Sequence, residues 1–418
     1  MMLAAALSDR RNQVDQLVAG IDIGTTKVCT LIAEASGEGP MLRIIGVGEQ
    51  AARGMRKGVV VNVAEAAEAI AASVEQAVRV SGVPVDAAYV SVGGTHITSL
   101  NSRGVAAITR PERGVTQEDI DRALQGARAI AIPHNQEVIH ALPRGYSIDG
   151  HDGITDPLGM HGHRLEVEAH VITASEAAIQ NLRDCVLAAK VEPLGPVPEP
   201  IAAAQAVLRQ SEREAGVILV DIGGGTTKIA VFADGCALHT SVIAVGGVNI
   251  TNDICYGLKA PFEVAERIKI AHGHAIPDKV RPDETVDVTS FGDEMPQIAS
   301  RRFLAEIIQA RVEEIFALVL KEIKHSGYDI LLSAGAVLCG GTAQLPGIKE
   351  VAREVLQMPV RIGIPTDLEG LTDTIANPAH ATSVGLLRWG LGDMSAPPPE
   401  ESDWPSRIKR WFTNILPS

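Results

Sequence analysis

One short phrase occurs twice in this 418-residue chain and limits what it can fold into. It reads Ile21-Asp22-Ile23-Gly24-Thr25-Thr26-Lys27-Val28 and returns as Val220-Asp221-Ile222-Gly223-Gly224-Gly225-Thr226-Thr227-Lys228-Ile229. Each copy carries a β-branched run to an aspartate, breaks at glycine, offers hydroxyls and a lysine, and resumes as an apolar run. That pattern predicts a β-hairpin whose turn faces an anion. Glycines let backbone N–H groups converge on a phosphate, threonine and lysine add donors, and the aspartate can hold magnesium through water. A single Asp-Ile-Gly between strands is ordinarily just a turn. Two copies so far apart imply two similar domains that face each other and grip one nucleotide from both sides. Both turns lead into a second strand, so neither is a Walker A loop or a Gly-x-Gly-x-x-Gly fingerprint.

Composition narrows the partners. With 46% hydrophobic and 21% charged residues, the chain reads as a soluble globular protein of more than one domain. A net charge of -14 argues against nucleic acid, whose phosphates most of this surface would repel. The five cysteines, Cys29, Cys185, Cys236, Cys255 and Cys339, form no Cys-x-x-Cys pair. They read as reduced, buried thiols of a cytoplasmic protein, not as a metal site. In the flexible start expected over residues 1–16, Arg10 and Arg11 follow the apolar run where a signal peptide has its basic residues first. No run approaches the roughly eighteen apolar residues of a spanning helix.

Along the chain, Leu42 to Gly48 reads as a third strand, Arg53 to Gly58 as a polar loop, and Val63 to Ser81 as a helix. Ala87 to Ser91 is a strand, and the pattern is irregular from there to residue 170. His151 and His161 lie in an expected loop at 150–162, with His163 just after it, and all three read as solvated. Ser175 opens a helix as its N-cap. Val191 to Pro200 carries four prolines and reads as a crossing between halves. Glu199-Pro200 then starts a helix with proline in its first turn. In the second half Gly246-Gly247 leads into a helix, and Glu266 and Lys269 share a helix face. A buried strand ends in Gly340-Gly341-Thr342, the kind of place where open α/β sheets bind ligands.

The tail has a separate logic. Ala396 to Asp403 is proline-rich and acidic and reads as an extended linker. Trp404, Ile408, Trp411, Phe412, Ile415 and Leu416 then recur at helical spacing, with Arg407, Lys409 and Arg410 on other faces. Such a helix, about 16 Å long, is too short to cross a bilayer core of roughly 30 Å and is expected to lie in the plane of an anionic membrane surface. Six apolar side chains dominate its binding, and the basic residues select the leaflet.

Two such hairpins, a proline-rich crossing and a late Gly-Gly-Thr turn, in this order, resemble the actin-like ATPase superfamily, an α/β fold of duplicated, ribonuclease H-like halves. Ile21 to Val28, Gly46-Val47-Gly48, Arg53-Gly54-Met55 with Lys57-Gly58, Asp221 to Lys228, Gly340-Gly341 and Gly370-Leu371-Thr372-Asp373 look more specifically like the FtsA family of bacterial cell-division proteins. The resemblance covers residues 17–416. It implies a first core subdomain of 17–85 and 169–197, an inserted subdomain at 86–168, and a second core of 198–256 and 306–390. It also implies a second insertion at 257–305, a linker at 391–403 and a membrane helix at 404–418. ATP and Mg2+ are the implied cofactors, with Asp22 and Asp221 on the magnesium by way of water. Gly24, Thr25, Thr26, Lys27, Gly223, Gly224, Gly225, Thr226, Thr227 and Lys228 would clasp the phosphates. Gly247 would line the same cleft. Glu266 and Lys269 would meet the ribose or base, and Gly340, Gly341 and Thr342 the adenine. Glu199, or else Gln205, would orient the attacking water, with ATP setting assembly state more than fast turnover. Glu199 reads equally well as a helix-start residue favoured by the dipole. The implied partners are the C-terminal peptide of the tubulin-like protein FtsZ, met by Arg301 and Arg302 if those arginines are not simply solvated, copies of the chain itself, an anionic membrane surface and later division proteins. A sugar kinase of the same superfamily and a pilus-assembly scaffold of related fold are the alternatives.

Overall fold

A computed structural model describes residues 16–35, 41–291, 295 and 297–392. The start of the chain and the linker and amphipathic helix expected beyond residue 392 lie outside the described residues.

The two halves repeat one topology. In the first, the hairpin Gln16–Ile23/Lys27–Ala35 is extended on one side by the antiparallel strand Leu42–Ala51 and on the other by the parallel strands Ala87–Val92 and Glu192–Pro198. In the second, the hairpin Val217–Ile222/Thr227–Ala233 is flanked by antiparallel Cys236–Ile243 and by parallel Ala336–Cys339 and Val360–Ile362. A short strand, Leu368–Gly370, returns from the second half to close the first sheet beyond Leu42–Ala51. Strands buried on both faces read as unbroken apolar runs, which is why all of Val217–Ile222 and Thr227–Ala233 is inside.

Helices cover the sheets where their small faces allow. Val63–Ser81 forms as the spacing predicts, capped by Asn62 and ended by Gly82 in the left-handed region. It presents Ala66, Ala69, Ile70, Val74 and Ala77 to the first sheet. Between the halves, every residue of the helix Glu199–Val207 is buried. It packs against Ala381–Gly390 at the distance of backbone contact, since a Cβ on Gly385 would stand 1.8 Å from the Ala202 carbonyl oxygen.

The four-proline segment is the main departure from expectation. Glu192–Pro198 is an edge strand, hydrogen-bonded on one side to Ala87–Val92 with a register shift between Pro193 and Pro196. An edge tolerates proline because one side of the strand needs no N–H donors. The inserted unit is a four-stranded sheet of Thr98–Ala107, Arg164–Ser175, Gln136–Ile148 and His151–Ile154 under the helix Gln117–Arg128. Its limits therefore differ from the expected 86–168. Ala87–Val92 pairs in the first sheet, and Arg164–Ser175 is an inner strand of the insert throughout its length. The expected loop at 150–162 contains the strand His151–Ile154, and the polar loop at 53–58 folds into a small hairpin, Met55–Arg56/Val59–Val60. Residues 257–305 hold the helix Phe262–His272 and the two-stranded sheet Thr285–Val288/Gln297–Ser300, followed by the long helix Arg301–Ser326.

Candidate functional site

The two glycine turns meet at the floor of a cleft of about 560 Å³ between the halves. Gly24 N–H donates to the Lys27 carbonyl at 2.9 Å, and Gly223 N–H to the Thr226 carbonyl at 3.0 Å, so both turns close in the same way. They also touch. A Cβ on Gly224 would lie 2.4 Å from the Thr26 methyl, and one on Gly225 2.7 Å from the Thr25 hydroxyl. Only glycine admits so close an approach between the turns.

Asp22 is held by groups remote in sequence. Ser91 and Ser383 each donate a hydroxyl to one of its oxygens at 2.9 Å. Burial pushes its carboxyl above the ordinary aspartate value, against the lowering pull of Lys27 and the two hydroxyls. Lys27 stands at the cleft wall beside Glu49, 3.4 Å away, and His380.

In the second turn the lysine is inside. Lys228 is ion-paired with Glu199 and lies 3.7 Å from Asp221, and all three are buried. Burial works against the Lys228 ammonium, but Glu199, Asp221 and Asp22 outweigh it and hold the lysine above its ordinary value. Burial likewise pushes Glu199 up to about 7 against the pull of Lys228, with Asp22 and Asp221 adding to the rise. A Cβ on Gly93 would stand 1.9 Å from a Glu199 oxygen, so the carboxylate lies against bare backbone.

One wall is a connected polar set. Lys269 donates to Glu266 at 2.7 Å, to the Thr251 hydroxyl at 2.8 Å and to the Gly247 carbonyl at 3.1 Å. The Thr342 hydroxyl donates to the Gly223 carbonyl at 3.1 Å, and Gly247 N–H to the same oxygen at 2.9 Å. Gly340, Gly341, Ile250 and Ile270 complete that side.

The chain is similar to known proteins over most of its length. Residues 218–385 match the family described as Cell division protein FtsA, and residues 94–173 match the SHS2 domain inserted in FTSA. The Cell division protein FtsA of Pseudomonas aeruginosa is 43% identical over 383 residues, covering 92% of this chain and 91% of the relative. That of Escherichia coli K12 is 37% identical, with 90% of each chain covered. The chain belongs to the FtsA family. It is an actin-like cell-division protein. Among solved structures, the PilM–PilN type IV pilus biogenesis complex matches with a TM-score of 0.64 over 90% of this chain and 98% of the other. MreB5 of Spiroplasma citri bound to ADP matches with a TM-score of 0.54 over 90% and 96%. Both are 14% identical, and they establish the actin-like fold.

Against the FtsA-like expectations, Asp22, Gly24, Thr25, Thr26, Lys27, Glu199, Asp221, Gly223, Gly224, Lys228, Gly247, Glu266, Lys269, Gly340, Gly341 and Thr342 line one cleft. Gly225, Thr226 and Thr227 do not. Thr226 and Thr227 are buried, and the Thr227 hydroxyl donates to the Val245 carbonyl at 2.8 Å. Gln205 does not reach the cleft either. Six residues beyond Glu199 on one helix, it points roughly 120° away, and its side-chain oxygen accepts from Arg213 at 3.2 Å. Arg301 is paired with Glu284, and Arg302 with Asp278 at 2.6 Å, so both guanidiniums have partners within the chain. Sequence reasoning missed Glu49, Pro378, Ala379 and Thr382 in the cleft wall, and Ser91 and Ser383 on Asp22. Only the Asn377-Pro378 helix start, an Asn cap with proline behind it, marks that segment in the sequence.

Proposed function

We propose that the chain binds Mg-ATP between its two glycine turns, assembles with copies of itself, and fastens FtsZ filaments to the cytoplasmic face of the membrane through its C-terminal helix, where later division proteins gather. The observation that carries the nucleotide part is the meeting of the two turns in one cleft with Asp22, Asp221 and Glu199 converging beside them. The donor set suits the group. Hard carboxylate oxygens match magnesium held through water, the cleft is of ligand size, and glycine backbone lies bare where phosphates would rest. Bound Mg-ATP would supply a γ-phosphoryl group that water can attack. The chain's own contribution is to orient and hold. Lys27 offers an ammonium at the wall, Glu266 and Lys269 stand ready for ribose or base, and Glu199 is the carboxylate placed to orient water. Because Lys228 holds Glu199 in an ion pair, slow turnover follows, and ATP acts chiefly on assembly.

For the FtsZ peptide we favour the segment 257–305. Arg301 and Arg302 are occupied, so the contact is assigned to exposed Ile298 and Phe303 beside them. Membrane attachment is assigned to Trp404 through Leu416. Among the described residues, no helix is long and apolar enough to cross a membrane.

The test is co-sedimentation with anionic liposomes, comparing the full chain with one ending at Ser395, with Mg-ATP and FtsZ present. Pelleting of the full chain alone, with FtsZ carried down, is expected. If both forms stay in the supernatant and ATP is consumed only when a sugar is supplied, the tether reading fails.

A further inference from the structure

We propose that Cys29, Glu49 and His380 form a binding site for a soft divalent metal ion of the zinc class at the edge of the cleft. Cys29 and Glu49 are direct partners in the ladder between the first hairpin and Leu42–Ala51, so their side chains share a face. His380 closes over them from the turn Pro378–His380. The Cys29 Sγ lies 3.6 Å from His380 Nδ1, the nitrogen that would take the ion, and the other ring nitrogen, Nε2, lies 3.5 Å from a Glu49 oxygen. One ligand atom from each residue falls within 4.8 Å of the others. A tetrahedral ion with ordinary zinc–sulfur and zinc–nitrogen bonds sets those two atoms roughly 3.6 Å apart, the separation already present. Glu49 is half-exposed and can close the remaining gap by turning its side chain.

A cation already stands among these groups. The Lys27 ammonium lies 3.3 Å from His380 Nε2 and 3.4 Å from Glu49. Metal binding replaces the Cys29 thiol proton, which leaves to solvent, and takes Glu49 from Lys27. The ammonium must then turn away. Three protein ligands leave a fourth position for water, and because Glu49 lines the cleft, the ion would couple metal status to the lysine of the first glycine turn. The residues lie at positions 29, 49 and 380, so no sequence spacing discloses the set.

The test titrates Co2+ into the reduced full chain without nucleotide, with Zn2+ as competitor. Expected is one Co2+ per chain with a near-ultraviolet thiolate-to-cobalt absorption, displaced by Zn2+ and absent in Cys29→Ser. His380→Phe should weaken binding at least about tenfold, as losing a ligand should cost no less than disturbing its support. Lys27→Met should tighten it, since a competing charge is removed. Should Cys29→Ser fail to fold, the His380→Phe and Lys27→Met arms decide. Absence of the thiolate band in the unmodified chain overturns the proposal. So does a band that persists in folded Cys29→Ser, affinity unchanged in His380→Phe, or weaker binding in Lys27→Met.

Discussion

In the first glycine turn the ladder closes on Ile23 and Val28, leaving Gly24-Thr25-Thr26-Lys27 in the loop; in the second it closes on Ile222 and Thr227, leaving Gly223-Gly224-Gly225-Thr226. The loops have equal length, but the second phrase carries two more glycines. Those glycines move its lysine two places along, from the first residue of the returning strand to the position across from the aspartate. Lys228 therefore stands directly across from Asp221, where the first turn has Cys29 across from Asp22. A two-residue shift keeps the lysine on the same face of the sheet but carries it away from the turn, further into the strand. The same residue type thus serves two ends. Lys27 is left at the cleft wall beside half-exposed Glu49, and Lys228 is buried against Glu199.

The largest break of this comparison is Lys228→Met. It leaves Glu199 and Asp221 clustered in the interior without their cation, and losing one partner of a buried pair costs about 3–5 kcal/mol. A urea melt should show the drop. A stability equal to that of the unmodified chain would mean that the second lysine is no more structural than the first.

How far this was readable beforehand depends on sequence distance. Both hairpins and the helix Val63–Ser81 are local patterns and stand where the sequence predicts them. The groups that give each aspartate its character are not local. Ser91 and Ser383 come to Asp22 from other elements, and Glu199 reaches Lys228 from the helix between the halves. Gln205 and Glu199 look interchangeable as candidates until the helix turns one of them away. The edge strand Glu192–Pro198 is hidden because proline content argues against a strand, unless one knows that a side of it is free of ladder bonds.

Gly93→Ala tests the support of Glu199 from the other direction. The added Cβ would overlap the carboxylate, and such overpacking costs about 1–3 kcal/mol. A lowered melting temperature and slower ATP turnover are expected together. Gly82→Ala, where nothing lies within 4 Å of a Cβ, would be strained only by its positive φ, and should leave turnover alone. Equal loss of turnover in both would remove Gly93 from the account.

A third measurement asks whether the asymmetry is confined to the turns. The insert meets the second half through Ser99 and Asn101, which donate to the carbonyls of Thr240 and Leu238, and through His170, whose ring nitrogens contact Asn101 and the Thr240 hydroxyl. Burial, with His239 and Arg144 nearby, holds His170 down to about 3. The folded value lies below the unfolded one of about 6.5, so its contribution is present above that pH and is lost as pH falls toward 3. The slope is on the order of 1.4 kcal/mol per pH unit, and His170→Gln should flatten that part of the stability profile. An unchanged profile would show that this seam does not depend on a neutral imidazole.

Lys27→Met completes the contrast and should move stability least. Its pair with Glu49 is partly open to solvent, and such pairs contribute about 0–1 kcal/mol. A urea midpoint close to that of the unmodified chain is expected, which is the opposite of Lys228→Met. Nucleotide affinity should fall instead, because a charge-assisted hydrogen bond to a phosphate contributes about 1.5–3 kcal/mol, roughly ten- to a hundredfold in Kd. Isothermal titration with ADP and ATP separates the two effects. If Lys27→Met unfolds as readily as Lys228→Met while keeping its nucleotide affinity, the two extra glycines of the second turn do not divide the labour between the two lysines, and their difference in burial has no functional meaning.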